Sequence, residues 1–303
     1  MGVTILTQSS PRRLPAPSAV LEVLKPVTWF PPMWAFACGA VSSGAELGPR
    51  AGTLALGVAL TGPLVCAASQ AVNDWYDREV DAINEPGRPI PSGRLPGRWG
   101  LGVATGWTAL SLAAGTALGA WGFAATVAAL VLAWAYSAPP ARLKRNGWVG
   151  NAAVGFTYEG LAWVTGAAVA LGGRAPGGGI LLFAALYSLG AHGIMTLNDF
   201  KSIAGDRRMG IGSLPARLGP EAASLVACAV MTVPQLIATA LLVSYGRPLH
   251  AAAVGALVLV QLAMMRRFAA APVERALWYS AFGVPLFVAG MMVSAFALRG
   301  VQP

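Results

Sequence analysis

At 303 residues, 56% of them hydrophobic and only 11% charged, the chain carries apolar runs too long for the buried helices of a soluble core. Its formal charge of +9 does not mark a nucleic-acid binder, because the basic residues flank apolar runs instead of covering one face. Cys38, Cys66 and Cys228 stand singly within such runs, so neither a disulfide framework nor a zinc site is indicated.

The first 24 residues, with several Pro and Ser, Arg12 and Arg13, and no apolar signal region, are read as a disordered cytoplasmic tail; residues 25–303 form one membrane domain. Nine apolar stretches follow, free of charge except for one acid in the fifth: Trp29 to Ser43, Ala51 to Val72, Trp99 to Leu118, Trp121 to Ser137, Trp148 to Leu171, Gly179 to Leu197, Ala222 to Tyr245, Leu249 to Met265 and Leu277 to Leu298. The third and fourth share a turn near Gly119 and Gly122, since no charge separates them. The expected fold is an all-α membrane protein of nine transmembrane helices around a central cavity. Seventeen of the 21 lysines and arginines fall in the N-terminal segment and the even-numbered loops, which puts the N-terminus on the cytoplasmic side. A bacterial cytoplasmic membrane suits Ala- and Gly-rich spans that permit close helix packing.

The second stretch ends in Asn73-Asp74-Trp75-Tyr76-Asp77-Arg78-Glu79-Val80-Asp81, where Asn73, Asp77 and Asp81 recur at i, i+4 and i+8 on one helix face. A loop rich in Pro and Gly carries Arg88 and Arg94 back toward these acids. The fourth stretch closes on Tyr136 and leads to Lys144 and Arg145. Within the fifth, Glu159 must face a polar cavity, be protonated or be paired, because an ionised acid inside a bilayer is costly. The sixth carries His192 and ends in a second copy of the acidic pattern, Asn198-Asp199-Phe200-Lys201-Ser202-Ile203-Ala204-Gly205-Asp206. His192 precedes Asp199 by seven residues and therefore projects to the same side of the helix.

Carboxylates gathered at a membrane boundary repel one another unless cations join them. Hard oxygen ligands at this density suit Mg2+, which binds through carboxylates together with substrate phosphates. Arg88, Lys144, Arg145 and Lys201 would hold the remaining phosphate oxygens. A diphosphate at the mouth of an apolar helical cavity calls for an apolar tail, hence a polyprenyl diphosphate. A cation-coupled transporter is the competing class, but its site would lie nearer the bilayer midplane.

These motifs resemble the UbiA superfamily of intramembrane prenyltransferases. Residues 77–86 (Asp-Arg-Glu-Val-Asp-Ala-Ile-Asn-Glu-Pro), 88–93 (Arg-Pro-Ile-Pro-Ser-Gly), Tyr136 to Pro140, Asn146-Gly147-Trp148 and Asn198 to Ser202 resemble its chlorophyll and bacteriochlorophyll synthase branch. The likeness runs from Leu24 to about Pro215, and Tyr158-Glu159-Gly160 and Ala191-His192-Gly193 look more like the bacteriochlorophyll enzymes. It implies Mg-dependent transfer, with two ions, of a geranylgeranyl or phytyl group from its diphosphate to the propionate of bacteriochlorophyllide a. Chlorophyllide a, or an aromatic ring as in other UbiA enzymes, is the alternative acceptor. By motif position, Asn73, Asp74, Asp77, Asp81, Asn198, Asp199 and Asp206 would form the metal set, and Tyr136, Glu159 and His192 would contact substrate. Ser202 stands where many relatives place an acid, which leaves open the ligands of the second motif.

Overall fold

The computed structural model describes residues 14–301, and it is helical nearly throughout. Helix α1 (Pro17–Leu24) precedes a short turn into α2 (Phe30–Ser42). A continuous rod, α3 (51–84), is followed by α4 (Trp99–Thr116), α5 (Gly119–Ser137), a second long rod α6 (147–170), and α7 (Gly178–Asp199). Two short helices, α8 (Ile203–Met209) and α9 (Leu214–Leu218), lead to α10 (Pro220–Ser244), α11 (Pro248–Ala269) and α12 (Pro272–Leu298). Among the described residues, six helices are long and apolar enough to cross a membrane: Gly48–Ile83, Gly119–Ser137, Gly178–Asp199, Pro220–Ser244, Pro248–Ala269 and Pro272–Leu298. The other three expected stretches are occupied by α2, α4 and α6, helices that fall short of that measure.

Local chemistry sets several boundaries. Proline sits in the first turn of α1, α10, α11 and α12, where its missing N–H costs nothing. The side chain of Asn146 caps α6 by accepting from the amides of Trp148 at 3.0 Å and Val149 at 3.3 Å. The turn between α4 and α5 uses Gly119 at φ +75, a left-handed conformation natural to glycine. Pro63 lies inside α3, and the backbone around it, Leu60–Cys66, widens into a π-helical stretch. A second π-helical stretch, Phe156–Leu161, interrupts α6.

The centre is held by close packing and a few buried polar pins. A Cβ on Gly39 would collide with the Trp163 carbonyl, and one on Gly166 with the Phe36 carbonyl, so α2 and α6 touch backbone to backbone. Trp163 donates its indole N–H to Ser42 Oγ at 3.1 Å and stacks on Tyr187, which shares a 2.8 Å hydrogen bond with Ser294. Gln235 and Gln261, both buried, exchange amide hydrogen bonds of 3.2 and 3.0 Å between α10 and α11. Outward, Leu225, Leu236, Val243, Leu259 and Leu277 are exposed, the exterior expected of helices that face lipid.

One expectation is corrected here. Residues 1–13 of the expected tail lie outside the described residues, but Pro17–Leu24 is helical and docked. Ala19, Val23 and Leu24 bury against Ala71 and Val72 of α3, Leu95, and Val103 and Ala104 of α4. The segment is too short to show helical periodicity clearly, and its apolar face is legible only against the groove that receives it.

Candidate active site

The two acidic motifs lie at the ends of α3 and α7, and the fold draws those ends together. Helix α8, which carries Asp206, packs against the acidic end of α3. The Tyr136 phenol, at the end of α5, lies within electrostatic reach of Asp77, Asp199 and Asp206 at once. A backbone staple fixes the surrounding loops: Gly147 N–H donates to the Gly212 carbonyl and Gly212 N–H to the Arg145 carbonyl, both at 2.9 Å. The chain passes closely here, and a Cβ at 212 would press on the Arg145 carbonyl at 3.0 Å.

In the first motif every acid on the α3 face meets a cation. Asp77 pairs with Lys144, has the Arg142 guanidinium at 3.8 Å, and accepts from the Asn73 amide at 2.9 Å. Asn73 also donates to Ser137 Oγ at 3.3 Å. Asp74 takes both Lys25 Nζ at 2.5 Å and Arg88 Nη1 at 3.3 Å on the same oxygen. Arg88 further reaches Asp81 at 2.9 Å and Glu85 at 2.6 Å. Lys25, Arg88, Arg142 and Lys144 thus stand against Asp74, Asp77, Asp81 and Glu85 in a locally neutral cluster. Burial pushes the Lys144 ammonium below the usual lysine range, opposed by the charge of Asp77 beside it.

The second motif is built differently. Asp206 accepts from Ser202 Oγ at 2.8 Å and Ser213 Oγ at 2.5 Å, and Asp199 accepts from the Asn151 amide at 3.3 Å. Neither has an ion-pair partner among the described residues. Two half-buried or buried carboxylates, close enough to feel each other and without an ion-paired cation among the described residues, are donors of the kind that hold a hard divalent ion. Among the described residues no three His, Cys, Asp or Glu side chains form a closed metal cage. An open arrangement suits an ion that takes few carboxylates and completes its shell with water and substrate phosphate.

Below this mouth runs an apolar cleft between α3, α5 and α6. Its upper part, about 320 Å³ counted with its opening, is lined by Ser69, Leu132, Ala133, Tyr136, Ala153 and Val154. Its lower part, about 400 Å³ counted likewise, continues past Pro32, Leu60, Thr126, Leu161 and Thr165. Val65, Ala129, Thr157 and Tyr158 border both parts. Both π-helical stretches contribute lining, which ties these local widenings to the shape of the cleft. The Tyr158 hydroxyl is tied off by the Cys66 thiol at 3.2 Å and the Gln70 amide at 3.3 Å, leaving the ring to the cleft.

The remaining expected site residues sit as follows. Tyr136 lines the cleft, whereas Tyr158, and not its neighbour Glu159, does so from α6. Glu159 is buried with no ion-pair partner among the described residues. His192 and Asp199 do share a face of α7, but that face meets α6: the His192 Nε2 lies 3.2 Å from the Trp148 carbonyl and its ring packs on Trp148. Asn198 is exposed, and its amide lies 3.8 Å from the Met195 sulfur, turned from Asp199. Arg145 and Lys201 are exposed, Arg145 serving the staple through its backbone. Lys25, Ser137, Arg142, Asn151 and Ser213 join the site without having been singled out in the sequence. Their partners lie 49, 64, 65, 48 and 7 residues away in sequence.

The family follows from proteins of similar sequence and fold. Residues 28–291 match the model of the UbiA prenyltransferase family. The chain is 54% identical to the bacteriochlorophyll synthase 33 kDa chain of Cereibacter sphaeroides over 96% of both proteins. It is 37% identical to the chloroplastic chlorophyll synthase of rice, covering 91% of this chain and 76% of that one. The fold superposes on that of a UbiA homolog from Archaeoglobus fulgidus bound to GPP and Mg2+ with a TM-score of 0.65, covering 93% of this chain and 99% of the other at 18% identity. With its paired acidic helix ends above an apolar cleft, and a family match over most of its length, the chain belongs to the UbiA prenyltransferase family of multi-pass membrane enzymes.

Proposed function

We propose that this prenyltransferase esterifies the propionate of bacteriochlorophyllide a with a C20 prenyl group carried on a diphosphate, as the name of its 54% identical relative suggests. The observation that carries the reading is the joint placement of two acidic helix ends, a set of cations and an apolar cleft. Asn73, Asp77 and Asp81 on one side and Asp199 and Asp206 on the other would hold two Mg2+ ions, which supply charge neutralisation for the departing diphosphate. Arg88, Lys144 and Lys25 contribute N–H donors to its oxygens. The cleft excludes water from the allylic carbon, with the Tyr136 and Tyr158 rings as its walls. The pigment's carboxylate oxygen forms the new bond to that carbon while the carbon to diphosphate oxygen bond breaks, its electron pair leaving with diphosphate. A propionate is already ionised at neutral pH, so no side chain is needed as a general base.

Nine membrane crossings, a cytoplasmic N-terminus and a bacterial cytoplasmic membrane complete the proposal. Esterification would then occur on the side that bears most of the lysines and arginines. His192 and Glu159 remain candidate macrocycle contacts.

The experiment uses membranes containing the chain, Mg2+ and geranylgeranyl diphosphate, with bacteriochlorophyllide a and chlorophyllide a supplied separately and ester followed by chromatography. Ester from bacteriochlorophyllide that vanishes in Asp77→Ala and in Asp206→Ala is the expected result. Ester from chlorophyllide alone would move the acceptor assignment. Ester from neither, with the prenyl group transferred to a quinone precursor and diphosphate released, would overturn it in favour of an aromatic acceptor.

A further inference from the structure

The cations around the first acidic motif are matched by acids. Lys25, Arg88, Arg142 and Lys144 each stand against a carboxylate, and Arg78, whose guanidinium lies 4.6 Å from the centre of the Trp75 ring, has Glu79 at 3.5 Å. A cluster where α11 turns into α12 has no such match. It brings together Arg266, Arg267 and Arg275, while Glu274 is the only acid in the sequence beyond Glu221. None of these four residues forms an ion pair among the described residues. The cluster lies at the same end of the bundle as the acidic motifs, because Phe268 packs edge-on against Phe200, the residue after Asp199, with ring centres 5.5 Å apart.

Two of the guanidiniums are held in place. Arg275 Nη1 donates at 2.6 Å to the Arg267 carbonyl, which belongs to the last turn of α11, where carbonyls lack a partner within the helix. The bond sets a cation at the negative end of the helix dipole. The Arg267 guanidinium lies 4.8 Å from the centre of the Trp278 ring, and Trp278 leans on Phe282 with ring centres 6.3 Å apart. The Arg267 side chain donates no hydrogen bond to the described residues, and Arg275 donates only the one. Directly beside them the surface turns apolar. Val273, Leu277 and Phe282 of α12 are exposed, Leu277 by 82% and Phe282 by 60%, and they continue the lipid-facing exterior.

Planar guanidinium forks with open N–H groups suit phosphate oxygens. An adjoining apolar strip suits hydrocarbon, which a free phosphate would leave uncovered. A zwitterionic headgroup brings a cation that the cluster repels. Basic residues at a membrane end also serve orientation, but orientation needs only their charge, not a ring beneath one guanidinium and a carbonyl tether on another. We propose that the turn between α11 and α12 binds an anionic phospholipid, its phosphate on Arg267 and Arg275 and its acyl chains along Leu277 and Phe282. The lipid site is separate from the prenyl reaction, since none of these side chains lines the cleft.

The test offers the full chain, purified and delipidated in detergent, equal amounts of phosphatidylglycerol and phosphatidylcholine with the same acyl chains. Retained lipid is read by native mass spectrometry. The unsubstituted chain should hold phosphatidylglycerol at least about tenfold more tightly. Arg267→Gln and Arg275→Gln should each lower that affinity about tenfold, the value of a hydrogen bond between charged groups, with phosphatidylcholine unchanged. Trp278→Leu should lower it about threefold, through the guanidinium it holds. Arg98→Gln removes another exposed cation, beside the exposed Trp99, and should change nothing. Arg267→Gln breaks no side-chain hydrogen bond within the fold, so it carries the test even where Arg275→Gln loosens the turn. Equal retention of the two lipids by the unsubstituted chain overturns the proposal, as does full phosphatidylglycerol affinity in Arg267→Gln. A loss in Arg98→Gln equal to that in Arg267→Gln also overturns it, by making net charge the cause. Tighter binding of inorganic phosphate than of phosphatidylglycerol, measured by calorimetry, would overturn it in favour of a free anion.

Discussion

Replacing Ala129 by Phe tests the cleft as the seat of the prenyl tail. Ala129 borders both the upper part, near Tyr136, and the lower part, near Thr126 and Thr165, and it is 7% exposed. A benzyl group there closes the passage between them while leaving the acidic mouth untouched. Each carbon denied a place in the lower part forfeits about 0.8 kcal/mol of burial, so excluding one isoprene unit costs about 3 to 4 kcal/mol at most. Partial rerouting of the tail toward lipid reduces this, and a discrimination of about 100-fold, near 2.7 kcal/mol, is the expected outcome. The assay compares kcat/KM for geranylgeranyl and geranyl diphosphate with the same acceptor. The long donor should lose about 100-fold, and the short one should change by no more than about threefold. Equal losses for both donors would refute the assignment, because a lesion at the mouth or in the fold does not discriminate by tail length.

Removal of divalent cations by a chelator should abolish turnover, and added Mg2+ should restore it; turnover unaffected by chelation would contradict a metal-binding role for Asp199 and Asp206. Ser213→Ala removes a 2.5 Å hydrogen bond to Asp206, and should weaken Mn2+ binding about tenfold, the loss of one hydrogen bond to a charged group, as read by paramagnetic resonance. Lys144→Met strips the buried partner of Asp77, and should lower the thermal midpoint in detergent by the equivalent of about 3 kcal/mol, with Mg2+ recovering part of it. Gly166→Leu forces a side chain into the Phe36 carbonyl, and should prevent recovery of folded protein, measured by size-exclusion of the solubilised chain.

Much of this enzyme was legible in one dimension because the membrane imposes a strong code. Uncharged stretches had to become helices, since backbone groups in lipid must be bonded within their own segment. The turn at Gly119 followed from the absence of charge between two spans, and its left-handed backbone needs that residue. The repeated acidic pattern marked two helix ends that the fold brings together. The i, i+4, i+8 spacing, however, could not tell which acids meet a protein cation and which do not. That division depends on Lys25, Arg88, Arg142 and Lys144, whose distances in sequence from their partners range from 3 to 67 residues. The same limit explains Asn198, which shares a motif with Asp199 but turns outward, and Asn151 and Ser213, which reach the second motif from another helix and another loop. Docking of α1 was equally hidden, since eight residues carry too little pattern to reveal a buried face without the groove that receives it. Local hydrophobicity and charge decided the helices and the acidic mouth; only the packing of distant segments decided which side chains meet there, because contact between residues far apart in sequence leaves no periodic trace.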